Sequence, residues 1–236
     1  MKYLILSDYH GNCNNLESVI QRESPKVVIS LGDFDTTECI NKYHKLIEKY
    51  KLENIEVYGN HDYAVYTKQN IYSGTLNKIG TSISELVNDY KEDDTSTKNL
   101  NKLIENEGQI KTFKIEDKNV ISVHGGLSGN LKSYSNCPSR IKKVWYRMKS
   151  RTDYKRNFKE MENKGYEIMI RGHDHKRDFI YINNDDLLMS KIPRNNDSFN
   201  LNQKYMIINP GDFFSGNYAT IEKNKDNLIL TYHSIK

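Results

Sequence analysis

Short apolar runs alternate with helical spacing through the first sixty residues. Tyr3 to Leu6 is a strand-length run that stops at Ser7-Asp8, and Leu16, Val19 and Ile20 then fall on one face of a helix over Asn15 to Gln21. Val27 to Leu31 predicts a second strand, followed by a loop over 32–37. Cys39, Ile40, Tyr43, Leu46 and Ile47 predict a second amphipathic helix, and Ile55 to Tyr58 a third strand. Strands that alternate with helices imply right-handed crossovers and a largely parallel sheet, whose ligands gather in the loops after the strands.

The alternation stops at Tyr63, and the stretch 63–109 is polar, with the helical character of an insertion. Strands resume at Ile110 to Ile115 and Val120 to Val123. A basic helix is predicted over Ser139 to Asn163, with Ile141, Val144, Trp145 and Met148 on one face. Beyond Gly165 the pattern is mostly β, at Tyr166 to Ile170, Phe179 to Ile182, Leu187 to Ile192, Tyr205 to Ile208, Tyr218 to Glu222 and Leu228 to Tyr232, with 194–202 a polar loop. A length of 236 residues fits one domain, 1–236, carrying the insertion at 63–109.

Composition changes this picture little. The 35 Lys and Arg against 31 Asp and Glu leave a net charge of +4, which argues against a nucleic-acid partner. No apolar run approaches the roughly 20 residues of a membrane helix, and the N-terminus has no signal-peptide core, so no membrane partner and a cytoplasmic location are expected. Cys13, Cys39 and Cys137 are odd in number and widely spaced, with no CxxC pair, and read as free thiols.

Histidine carries the chemical signal. Five of the seven, His10, His61, His124, His173 and His175, sit beside Gly, Asp or Asn in short loops after predicted strands, whereas His44 and His233 do not. Asp8 and His10 lie two residues apart, so an extended backbone would project both to one side. Gly32-Asp33, Gly59-Asn60-His61-Asp62, His124-Gly125-Gly126 and Gly172-His173-Asp174-His175 close further strands, and each loop offers one or two O or N ligands. Asp, Asn and His without Cys favour Mn, Fe, Zn or similar ions over a structural thiolate zinc site. Asp8, His10, Asp33, Asn60, His124, His173 and His175 exceed what one ion needs, and two divalent metal ions bridged by one carboxylate use the set well.

In this order, SDYHGN, LGDFD, YGNHD, VHGGL and GHDH resemble the motifs of the calcineurin-like metallophosphoesterases over residues 4–175, with Asn209-Pro210-Gly211-Asp212 similar to a loop near the end of that fold. The resemblance implies an α/β, four-layer α-β-β-α sandwich of two mixed sheets. It assigns Asp8, His10 and His175 to one ion, Asn60, His124 and His173 to the other, and Asp33 to the bridge. His61 would face substrate as an acid or a charge stabiliser, and Asp62 would either orient His61 or close the turn.

HGGLS at 124–128 and the Trp145-x-Arg147 element look like the serine/threonine phosphoprotein phosphatase branch, in which such an Arg contacts phosphate. The other reading of Arg147 is a solvated helix residue beside a core Trp145. That branch carries GDxxDRG, whose second Asp supports the catalytic His. Here Asp35 stands one place early, no Arg follows, Tyr58 replaces an Arg, and His175 is kept as in phosphodiesterases and nucleases. Arg171, Lys176 and Arg177 read as surface charge. The expected activity is phosphoester hydrolysis by a metal-bound hydroxide on a phosphorylated substrate of unknown size, as a phosphatase of monoesters or phosphoproteins. The alternatives are a nucleotide phosphodiesterase or dinucleoside polyphosphate hydrolase and, from another class, a silent binding module on this fold.

Overall fold

The structure, a computed structural model, describes residues 1–67, 83–129, 141–183 and 187–235. Two six-stranded sheets form its centre. In the first, β1 (Lys2–Leu6), β2 (Val27–Ser30) and β3 (Glu53–Glu56) run parallel, and β11 (Asn217–Asn224), β12 (Asn227–Ser234) and β9 (Ser198–Asn200) continue antiparallel, in the order β3-β2-β1-β11-β12-β9. The second has the order β4-β5-β6-β10-β7-β8, from Ile110–Ile115, Lys118–Val123, Ile168–Arg171, Tyr205–Pro210, Arg177–Ile182 and Leu188–Lys191 respectively. Within it β5, β6 and β10 are parallel and the outer pairs antiparallel.

Alternate residues of each central strand serve different layers, which is why these strands read as continuous apolar runs. Tyr3 and Ile5 of β1, Ile168 and Ile170 of β6 and Met206 and Ile208 of β10 pack in the core between the sheets. Leu4 and Leu6 face the opposite way, into a cluster with α1 (Leu16–Glu23), α2 (Thr37–Lys49) and the helices α3 (Asn60–Thr67), α4 (Ile83–Glu92) and α5 (Asp94–Lys102). Met169 and Ile207 pack under α7 (Arg151–Lys164) through Phe158 and Met161. The result is the expected four-layer arrangement of two mixed sheets flanked by helices. Among the described residues no helix is long and apolar enough to cross a membrane.

Several elements differ from the sequence pattern. The single helix predicted over 139–163 is broken, its first two residues lying outside the described ones. A short α6 (Lys142–Trp145) ends at Tyr146, and α7 starts afresh after Ser150, whose hydroxyl accepts from the Asp153 amide while the Asp153 carboxylate accepts from the Ser150 amide. That reciprocal capping box satisfies the orphan amides of a new helix start and outweighs the shared apolar face. The third strand is Glu53–Glu56 rather than Ile55 to Tyr58, because Val57 and Tyr58 are buried in the loop leading to the histidines. The polar loop contains β9, paired to β12 at Ser198 to Asn200.

The free-thiol reading is corrected for two of the three cysteines. Cys13 and Cys39 are joined by a disulfide with Cα atoms 5.3 Å apart, and Cys137 lies outside the described residues. Their separation of 26 residues hides the fact that β1 and β2 pair in parallel, so the loops that follow them run side by side. Closing a loop of that length stabilises the folded chain by about 3 kcal/mol on the chain-entropy account. Cys13→Ser is therefore expected to lower the thermal midpoint by about 6–12 °C for a domain of this size. Wild type in a thiol reductant should melt like the variant, and equal midpoints for oxidised wild type and variant would contradict the crosslink.

Candidate metal centre

Five loops at the carboxyl ends of strands meet at one edge of the two sheets. The loop after β1 lies against the loop after β2 through amide donation from Asp8 to Gly32 O at 3.0 Å, His10 to Asp33 O at 2.9 Å and Gly11 to Phe34 O at 2.9 Å. Gly172 N donates to His124 O at 2.9 Å, joining the loops after β5 and β6. From the far end of the chain, Phe213 N and Phe214 N donate to Ser7 O and Asp8 O at 2.7 and 3.2 Å, so the short turn Phe213–Ser215, which follows the Asn209–Asp212 loop, buttresses Asp8.

The ligand residues are not on extended backbone, which corrects the geometric expectation for Asp8 and His10. Asp8 and His10 have φ of 55° and 45°, Asp33 and Asp35 61° and 65°, and His173 and His175 70° and 55°. These six make up more than half of the eleven non-glycine residues with positive φ among the described residues. Asp and His enter this left-handed region more readily than most residues, yet each such position costs of order 1–2 kcal/mol. Strain repeated at i and i+2 in three loops marks a functional site. Glycine is needed beside it for a different reason: a Cβ on Gly172 would stand 2.6 Å from Asp8 Oδ2.

Two groups of donors result. In the first, His175 Nε2 is 3.1 Å from Asp8 Oδ1 and 3.0 Å from His10 Nε2. In the second, His124 Nε2 is 3.2 Å from Asp33 Oδ2 and 3.1 Å from Asn60 Oδ1, with the His173 ring centroid 5.0 Å from that of His124. Asp33 Oδ2 also lies 3.9 Å from His10 Nε2, so this carboxylate stands between the groups. All seven predicted ligands are thus brought together. Asp8, His10, Asp33, Asn60, His124 and His173 are at most 1% exposed.

The surroundings fix how these groups present themselves. The carbonyl of Leu31, which can only accept, lies 2.5 Å from His124 Nδ1, so that nitrogen carries a proton, and in the neutral ring Nε2 would turn its lone pair inward. The His61 amide donates to Asp33 Oδ1 at 2.9 Å, leaving Oδ2 for the centre. Asp62 accepts from the amides of Asp33, Gly59 and Phe34 at 2.7, 2.8 and 2.9 Å. These bonds tie the second and third loops together at Asp62. Burial and the charge of Asp33 outweigh the three donors and push its carboxyl up to about 6.

Electrostatics favours cations here. Burial resists ionisation of Asp8, but His175, His124 and His10 outweigh it and hold the carboxyl well below its usual range. Burial likewise opposes a charge on His124, yet Asp33 and Asp8 push its ring up to about 9. Protons are here serving as counter-ions for buried carboxylates. His173 is the reverse: burial, His124 and Arg147 hold it well below 6.5, and its buried Nε2 has no hydrogen-bond partner among the described residues. A neutral imidazole with an unsatisfied nitrogen, beside carboxylates that need positive charge, fits divalent metal and is costly without it.

His61 lies beside the first group, its ring centroid 4.9 Å from that of His10, its side chain 17% exposed and its Nδ1 3.0 Å from Asp35 Oδ1, so that His10, Asp35 and His61 make a third cluster of possible donors. Burial opposes its charge, but Asp35 and Asp33 outweigh it and push the ring up to about 10. Arg147, about one-third exposed, donates to His173 O at 3.0 Å and lies 3.3 Å from Asp174 Oδ1, against the GHDH loop. Trp145 is buried with its ring 6.5 Å from that of His173. Arg171 is not surface charge: it is 1% exposed, donates to Gly125 O and pairs with Asp174 Oδ2 at 2.7 Å. Arg177 is likewise half-buried and donates to Asn217 Oδ1 and His233 O. Sequence reasoning missed Asn157, buried on α7, whose Oδ1 accepts from the amides of Leu127 and Ser128 at 2.9 and 3.1 Å and so shapes the loop after His124. No feature of spacing distinguishes it from an ordinary polar helix residue.

Solved structures share this architecture. A metallophosphoesterase from Sphaerobacter thermophilus superposes with a TM-score of 0.67 at 20% identity, covering 100% of this chain and 89% of its own. A hypothetical protein from Pyrococcus horikoshii OT3 gives 0.60 at 10% identity, with 100% and 89% covered. At these identities the likeness shows the fold alone. No curated protein matches in sequence. The profile of the calcineurin-like phosphoesterase superfamily domain matches residues 1–222, and the chain belongs to that superfamily.

Proposed function

We propose that this chain hydrolyses phosphoester bonds with two divalent ions, as a phosphatase of phosphomonoesters or phosphoproteins. The observation that carries the proposal is the place of Asp33, whose Oδ2 lies 3.2 Å from His124 Nε2 and 3.9 Å from His10 Nε2, one donor from each group. Asp8, His10 and His175 would hold one ion, Asn60, His124 and His173 the other, with Asp33 shared. When bound, such ions lower the pKa of water and neutralise charge on phosphoryl oxygens.

The chain's own residues supply the rest. His61, held against Asp35 and carrying a proton at neutral pH, is placed to stabilise charge on the departing oxygen or to donate a proton to it. Arg147, the cation against His173, is proposed to contact the phosphoryl group at the rim. A second reading, cleavage of diesters or nucleotides, is favoured by His175, which completes the first group at 3.1 Å from Asp8. Aryl monoesters and aryl diesters assayed side by side separate the two. The proposal stands on monoester turnover and gives way to the second reading if only diesters are cleaved.

Asp33→Asn is expected to lower the content of both ions, whereas Asp8→Asn should mainly empty one position. Metal analysis after desalting decides this, and equal single-ion losses would refute the shared carboxylate. His61→Ala should keep both ions yet lose roughly 10²–10⁴-fold in kcat with little change in KM. Loss of an ion from His61→Ala, or an unchanged kcat, would remove it from the substrate side. EDTA should abolish activity and Mn²⁺ restore it, and full activity in metal-free protein would end the proposal.

A further inference from the structure

Asp35 occupies a place that the motif pattern gave no reason to expect. It stands one residue early for the branch that uses a second Asp, but the left-handed turns at Asp33 and Asp35, with φ of 61° and 65°, carry its side chain back toward the centre. The carboxylate is 1% exposed. Its Oδ2 meets His10 Nδ1 at 3.0 Å, and its Oδ1 lies 3.0 Å from His61 Nδ1. The two rings stand edge to face, with centroids 4.9 Å apart. One carboxylate therefore faces a ring of the metal-ligand set with one oxygen and the proposed substrate-side ring with the other.

We infer that Asp35 is a shared positioning residue, which through its two oxygens fixes His10 as a metal ligand and His61 toward substrate. A carboxylate only accepts, so each ring must keep a proton on the nitrogen that faces it. For His10 this leaves the Nε2 lone pair toward Asp8 and His175, and it holds the ring's rotation. For His61 it places Nε2 on the far side of the ring, away from Asp35. The same anchor also ties the angle of one ring to that of the other. The proposed metal ligand and the proposed proton-bearing group are in this way built on a single residue. The catalytic half of this inference rests on the proposed function; the metal half does not.

Asp35→Asn separates the halves. The amide keeps the shape but offers one acceptor and one donor, so it can satisfy only one of the two N–H groups. Titration of metal-free protein with Mn²⁺, with no substrate present, should show one of the two positions weakened about 10–100-fold, the effect typical of removing an outer partner from a ligating histidine. At saturating Mn²⁺, kcat should still fall about 100-fold or more, with KM little changed. Asp35→Asn in the His61→Ala background should weaken metal to the same extent and lower kcat no further. Unchanged Mn²⁺ affinity would confine Asp35 to His61, and full kcat at saturating metal would confine it to His10; either result overturns the shared role. If no phosphoester is cleaved at all, the Mn²⁺ titration still judges the metal half. Should the variant not fold, nitrogen-15 spectra of the wild-type zinc form decide the matter: both His10 and His61 should carry a proton on Nδ1, and an Nε2-only tautomer of either ring would overturn the inference.

Discussion

Burying the carboxylates of Asp8 and Asp33 beside one another, at the ends of two adjacent parallel strands, sets the terms for everything around them. Neither is more than 1% exposed, so solvent cannot screen them and positive charge must come from close by. The carboxylates raise the affinity of the His10 and His124 rings for a proton, that of His124 up to about 9. Histidines must be neutral to ligate metal, so any metal bound here would compete with protons, and its uptake would release protons and weaken as pH falls.

Holding this charge in place requires backbone that most sequences avoid. Six residues of three loops sit at positive φ, and the cost is offset by neighbours that leave them no alternative. Asp62 pins three amides of the second and third loops, Asn157 pins two of the loop after His124, and buried Arg171 holds Gly125 O while pairing with Asp174. The Cys13–Cys39 disulfide adds a covalent tie between the first loop and the first turn of α2, a few residues from the candidate donors. The shape of the site is thus held by buried groups that lie outside the donor set itself.

The fold and the gathering of the candidate donors were legible because both depend on local pattern. Apolar runs such as Tyr3 to Leu6, buried on both faces, announce central strands, and Asp, Asn and His placed next to Gly directly after them announce ligands in loops. What escaped depends on contacts between segments far apart in sequence. Arg171 gives no sign that Gly125 O awaits it. Cys13 and Cys39 become neighbours only through the parallel pairing of β1 and β2. Asp35 looked misplaced because counting residues assumes a regular path, whereas two left-handed turns shorten it. Ser150 shows the opposite failure, a local signal present in the sequence as S-x-x-D but outweighed in reading by the apolar face that spans it.

The central claim is that one shared carboxylate, Asp33, makes these loops a site for a pair of ions rather than for one. Electron paramagnetic resonance of the metal-free protein loaded with two equivalents of Mn²⁺ tests it most directly. Two ions joined by a common carboxylate are close enough for their spins to couple, so a multiline exchange-coupled spectrum is expected at two equivalents. A six-line spectrum of isolated Mn²⁺ that saturates at one equivalent, or persists uncoupled at two, would contradict the account.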